Sequence, residues 1–285
     1  MRKYIYALLL PFLSFSALSA PLVWQAQKGD VNFYFLGSIH AGKKTFYPLP
    51  SEFMEHWSSA NALIVEANIL SSTEVKPDLS GPTTEQQLTP KQQEQLKVIS
   101  DTLSLPYSHL LTMPPWLSAI NLQMALTNQL GLDPQQGVDY QLLLKAQYDK
   151  LPIKELEGIE QQFALLANLP EHGTPMLQET VTNWEQLKQD MADLITAWQT
   201  GDQTKLNQLF TNSQFDDQSD EQLIFGRNKQ WAHILSDPKQ YPAGNYLVVV
   251  GAFHLLGDKG VPALLAKEGF IVKRVFSEIK KQAIY

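Results

Sequence analysis

Apolar positions along the chain follow two regimes. Near both ends they come as short β-rich runs, and through the middle they recur every three or four residues. Residues 22–36 read as two short strands: Leu22, Val23 and Trp24 open the first, Lys28-Gly29-Asp30 turns the chain, and residues 31–36 return. Residues 51–60 carry a helical face of Phe53, Met54 and Trp57, and residues 62–65 form a short buried strand. The Pro-, Thr- and Ser-rich stretch 71–90 reads as an exposed loop. Beyond it the spacing predicts helices over 91–103, 114–130, 137–148, 159–168 and 182–199, with a short strand at 152–156. Residues 211–220 read as a polar loop and 221–235 as a helix. Residues 246–250 are the most apolar strand, 261–267 a helix and 271–276 a closing strand.

A buried apolar strand needs ladder partners, so the runs at the two ends are expected to pair. The predicted fold is α/β (α+β): a central mixed β-sheet built from N- and C-terminal segments, covered by a large helical insert at about 91–210. Residues 21–285 are expected to form one domain.

The first twenty residues belong to a different pattern. Arg2 and Lys3 precede an apolar run from Tyr4 to Phe15, and Ser16, Ala17, Ser19 and Ala20 lead to Pro21. This is the layout of a secretory signal peptide over 1–20, with cleavage after Ser19 or Ala20. The run is short for a spanning helix and holds Pro11, and no later stretch approaches a membrane span. The mature chain is therefore expected to be exported, to a periplasm or the medium. The absence of cysteine excludes disulfide staples, thiolate nucleophiles and thiolate zinc sites. A net charge of −7 argues against a general nucleic-acid binder. No glycine-rich phosphate loop is present, which argues against a nucleotide cofactor.

Two strand ends resemble each other. Residues 31–36 run into Gly37-Ser38-Ile39-His40, and residues 246–250 into Gly251-Ala252-Phe253-His254. Each places an imidazole just past the C-terminal edge of a hydrophobic strand, where α/β sheets collect their sites. Glu66 stands in the same position after Ala62-Leu63-Ile64-Val65. Two histidines and a glutamate form a ligand set for a catalytic divalent metal with a position open to water. Such an ion lowers the pKa of water and polarises a carbonyl. The helical His-Glu-x-x-His arrangement is absent. Glu66 is equally open to an ion pair with Arg227, whose guanidinium fork suits a carboxylate of the protein or of a substrate.

At these residues the chain resembles the TraB/GumN family, which includes Tiki-type proteases and is related to erythromycin-esterase-like and ChaN-like proteins. The resemblance runs from Trp24 to about Phe276. It rests on Leu36-Gly37-Ser38-Ile39-His40, where Ser38 replaces the family threonine, on Val65-Glu66-Ala67, and on Gly137-Val138-Asp139. It continues through Glu157-Gly158-Ile159-Glu160-Gln161-Gln162, through Arg227-Asn228 followed by Trp231, and through the ungapped segment from Gly251 to Gly260. The resemblance implies a metal-dependent hydrolase, a peptidase (metalloprotease), with manganese, cobalt or zinc on His40, Glu66 and His254. Arg227 would then stabilise developing negative charge or orient a substrate carboxylate.

Around this set Asp139 reads first as a helix cap. Glu157 and Gln161 read as structural support and Asn228 as a companion of Arg227. Ser38 is a hydrogen-bond donor without the setting of an activated nucleophile. Asp258 either orients His254 or solvates a turn. The alternative to catalysis is an exported binding protein that holds a peptide, a small ligand or haem iron in the same cleft. The expected partner is a peptide or small molecule, and the sequence leaves the oligomeric state open.

Overall fold

The computed structural model describes residues 20–71, 76–214 and 216–275. Apart from Ala20, the expected signal peptide lies outside the described residues.

Six strands form one sheet: β1 (Val23–Lys28), β2 (Val31–Ser38), β3 (Ala62–Val65), β4 (Ile153–Glu155), β5 (Gly244–Gly251) and β6 (Ile271–Val275). Their order is β4-β3-β5-β2-β1-β6. The strands β4, β3, β5 and β2 are parallel, while β1 pairs antiparallel with both β2 and β6. The sheet is therefore mixed and draws on both ends of the chain, as the end-to-end pairing argument requires. Gly29, at a φ of +58°, makes the tight β1–β2 turn. Strands β2 and β5 read as continuous apolar runs because both faces of the sheet are covered. Phe33, Phe35, Tyr246, Val248 and Val250 pack on one side with Trp231, whereas Leu36, Leu63, Leu247 and Val249 pack on the other with Trp198.

Between the strands lie α1 (Ser51–Met54), α2 (Thr84–Gln87), α3 (Pro90–Thr102), α4 (Tyr107–Thr112), α5 (Pro115–Gln129) and α6 (Val138–Asp149). They are followed by α7 (Ile159–Ala167), α8 (Thr174–Thr182), α9 (Trp184–Thr200), α10 (Gln203–Asn212), α11 (Asp217–Asp220), α12 (Gly226–Ser236) and α13 (Val261–Lys267). Helices α3, α5 and α8 bury a core of their own around Leu96, Trp116, Leu122 and Leu177. The insert is tied to the sheet by Trp198 of α9, whose buried indole donates to the Gly37 carbonyl at 2.7 Å.

Four expectations change. The single helix over 51–60 is broken into α1 and a 3₁₀ turn at Trp57–Ser59, because Trp57 buries its ring and donates to Asp149. The loop over 71–90 contains α2, nucleated by a capping box between Thr83 and Gln86. The loop over 211–220 contains α11, whose first N–H groups are accepted by Asp216. The expected helix over 221–235 begins as a π-turn at Glu221–Phe225 and becomes α-helical at Gly226. Among the described residues no helix is long and apolar enough to cross a membrane.

Candidate functional site

Parallel strands deliver their C-terminal ends to one edge, and four of them carry the candidate residues there. Glu66 directly follows β3, Glu157 comes two residues after β4, His40 two after β2, and His254 three after β5. Helix α12 lays Arg227 and Trp231, one turn apart, beneath this edge.

Arg227 is the hub. Its Nε donates to Glu157 Oε1 at 2.8 Å, and its Nη2 donates to Glu66 Oε2 at 2.6 Å and Glu157 Oε2 at 3.2 Å. Its Nη1 donates to the Leu223 carbonyl at 2.9 Å and lies 3.2 Å from His254 Nε2. A guanidinium has five N–H groups and can only donate, so all five are committed within the chain. The expectation that Arg227 clamps a substrate carboxylate gives way to the other reading of the sequence, an ion pair with Glu66. Glu157 is the second, unforeseen partner. It also accepts from Trp231 Nε1 at 2.8 Å, and the guanidinium lies 4.7 Å from the Trp231 ring centre.

The tautomer of His254 follows from its partners. Asn228 Nδ2 donates to the Lys259 carbonyl, which turns Asn228 Oδ1 toward His254 Nδ1 at 2.6 Å. Nδ1 therefore carries the proton, and Nε2 accepts from Arg227. Burial, with the positive charges of Arg227 and His40, outweighs Glu66 and lowers His254 to about 3. Asn228, and not the exposed Asp258, orients this ring. For Glu66, burial alone would raise the pKa. The charges of His254, Arg227 and His40, and the Gly251 N–H at 2.7 Å, outweigh it and hold the group at about 2. Gln162 adds a donor to Glu66 at 3.2 Å. The expected Gln161 is exposed on α7, and the inward residue is its neighbour Gln162, which closes the same Glu157–Gln162 motif.

His40 is set apart from this buried network. Its side chain is 77% exposed and its Nδ1 lies 3.0 Å from Asp139 Oδ2. Ser38, fully buried, donates to Asp139 Oδ1 at 2.7 Å, so its hydroxyl proton serves the carboxylate. Asp139 is not a helix cap: Gly137 occupies that position of α6, and the carboxylate is divided between Ser38 and His40. The charge of Asp139 and then its hydrogen bond raise the His40 pKa, and water screens the pair at this exposure. His40 Nε2 has no hydrogen-bond partner among the described residues, which leaves it available to a ligand.

Backbone packing holds the dyad in register. Val138 N–H donates to the Ile39 carbonyl at 3.1 Å, and a Cβ on Gly137 would stand 2.2 Å from the His40 carbonyl oxygen. Gly137→Ala must push these segments apart, and is expected to lower stability by about 1–3 kcal/mol, read by urea denaturation.

Acid stability tests the His254 assignment. A folded-state pKa below the unfolded value penalises the fold only as pH falls below the unfolded value. The penalty of His254 therefore begins near 6.5 and grows down to about 3. His40, with a raised value, is protonated in both states over this range. Between pH 6.5 and about 4.5, above the range in which Glu66 titrates, the unfolding free energy is expected to fall with a slope approaching about 1.4 kcal/mol per pH unit, and His254→Gln should remove most of that slope.

Glu66 has both oxygens occupied by N–H donors, and both His254 nitrogens are engaged. A guanidinium cation stands between them, with His254 Nε2 3.9 Å from Glu66 Oε1. Among the described residues no group of three or more His, Cys, Asp or Glu is placed to hold a metal. As arranged, the set does not fit a divalent ion.

A cavity of about 600 Å³ is lined by Phe210, Phe225, Leu256, Asp217, Asp258 and Lys259 among others, and none of His40, Glu66, Asp139, Arg227 and His254 lines it. A second cleft of about 570 Å³ separates α3 from the α8–α9 junction.

The TraB/PrgY/gumN family model matches residues 22–274. Uncharacterized protein YbaP of Escherichia coli (strain K12) is 34% identical over 245 residues, covering 83% of this chain and 89% of the relative. Uncharacterized protein YbaP of Shigella flexneri matches with the same identity and coverage. No solved structure matches the chain.

Proposed function

The chain belongs to the TraB/PrgY/gumN family, and from that premise we propose that it is an exported hydrolase, a peptidase, that activates water at His40. The observation that carries this reading is the Ser38–Asp139–His40 chain of hydrogen bonds, ending on an imidazole nitrogen with no partner among the described residues. Asp139 fixes the Nδ1–H tautomer. The neutral Nε2 then takes a proton from water as the water oxygen attacks a substrate carbonyl. The imidazolium, stabilised by Asp139, returns that proton to the leaving group. Arg227 orders Glu66 and Glu157 beneath the edge and does not itself reach the substrate. The 600 Å³ cavity, running along the loop that follows His254, has the size and mixed lining of a ligand site.

Manganese, cobalt or zinc, were it held by His40, Glu66 and His254, would supply activated water instead. It requires Arg227 to release both Glu66 and His254. A non-catalytic binding protein is favoured by one specific observation: of the two histidines only His40 is exposed, while Glu66, Arg227 and His254 are engaged with one another.

The test incubates purified mature chain with a denatured protein and with a mixed peptide pool, and reads new termini by mass spectrometry. Cleavage by the wild type, lost in His40→Ala, is the expected result. Saturable peptide binding without new termini would replace hydrolysis with the binding reading.

A further inference from the structure

The sequence leaves two leader bonds open to cleavage, and the fold distinguishes them. The Ala20 backbone N–H donates to the Gln199 carbonyl at 2.7 Å. That carbonyl lies in the last turn of α9, where no intrahelical donor remains for it. The Ala20 carbonyl lies close against Gly201, where a Cβ would stand 2.3 Å from it, and Gly201 caps α9 at a φ of +64°. Leu22 and Val23, next along the chain, are buried. The fold thus holds the chain from Ala20 onward.

We propose that processing cuts the Ser19–Ala20 bond and leaves the Ala20 α-ammonium seated on the C-terminal end of α9. Water adds across one peptide bond: hydroxyl goes to the Ser19 carbonyl carbon and hydrogen to the Ala20 nitrogen. An endopeptidase that reads small residues one and three positions before the cut meets Ser19 and Ala17 there. A cut one residue later would put Leu18 at the third position and Pro21 at the new end. The seat suits the product. A helix C-terminus attracts positive charge, and an ammonium offers three donors where the precursor amide offers one. The same helix end already draws Arg274, whose Nη2 donates to the Gly201 carbonyl at 2.9 Å. A chain beginning at Pro21 would leave Gln199 without this donor.

This inference rests on the exported reading, and the test separates the two. The full precursor is expressed with its own leader in a secreting bacterium, and the recovered protein is read by intact mass and N-terminal sequencing. A first residue of Ala20 is expected. A first residue of Pro21, or any later one, overturns the proposal and leaves export standing, whereas an uncleaved leader overturns both. As a second readout, chains prepared to begin at Ala20 are expected to melt about 2–4 °C above chains beginning at Pro21. Equal melting would remove the proposed seat.

Discussion

Replacing Arg227 with methionine is expected to destabilise the protein by about 3–5 kcal/mol, because it leaves buried carboxylates without their cation. Glu66 and Glu157 both lie below a tenth exposure and share this one guanidinium. Arg227→Lys should recover only part of the loss. An ammonium has three donors and no planar fork, so it cannot serve Glu66, Glu157, His254 and the Leu223 carbonyl together. The double replacement Arg227→Met with Glu157→Gln removes charge on both sides and is expected to be more stable than Arg227→Met alone. Urea denaturation of the four proteins checks the ordering. A loss below about 1 kcal/mol for Arg227→Met, the range of an exposed pair, would contradict the buried network described above.

The second large effect concerns the exposed dyad. His40→Ala is expected to lower kcat/KM by about 10²–10⁴-fold, the usual contribution of a general base, while leaving the unfolding curve nearly unchanged. Asp139→Asn separates rate from pKa. The Asp139 carboxylate raises the His40 pKa, so the neutral, proton-accepting form becomes abundant only on the alkaline side. The wild-type rate is therefore expected to climb with pH above neutrality. Removing the carboxylate's charge lets the imidazole titrate nearer 6.5, which moves the rising limb toward acid even as the maximum rate falls. A limb that stays in place in Asp139→Asn would show that another group titrates in the rate.

Much of this arrangement was legible before the structure. The apolar runs ending in Gly37 and Gly251 announced two strands that stop at one edge, because only doubly covered strands tolerate such continuous burial. The positions of His40, Glu66 and His254 followed from them. Less legible were contacts that depend on a register across long sequence separations. Asp139 meets His40 from 99 residues away, and Glu157 meets Arg227 across 70. Neither partner is visible from local spacing, so Asp139 read as a cap. Trp231 was recoverable, since it stands four residues after Arg227 on the same helical face. Gln162 was recoverable, since it closes the Glu-x-x-x-x-Gln motif that begins at Glu157, and Gln161 beside it was the wrong choice of two adjacent glutamines. Helices α4 and α8 gave little periodic signal, being short and flanked or opened by Pro106 and Pro175.

In the proposed mechanism water is activated by the His40–Asp139 pair, with Arg227 as the fixed cation below it. The most direct test measures metal content of the purified mature chain by mass spectrometry, after incubation with manganese, cobalt or zinc, alongside cleavage in a chelator. No stoichiometric ion is expected on the purified chain, with cleavage retained in the chelator and lost in His40→Ala. One equivalent of ion, lost in both His40→Ala and His254→Ala and required for cleavage, would contradict the mechanism. Arg227 would then have to move aside for the metal.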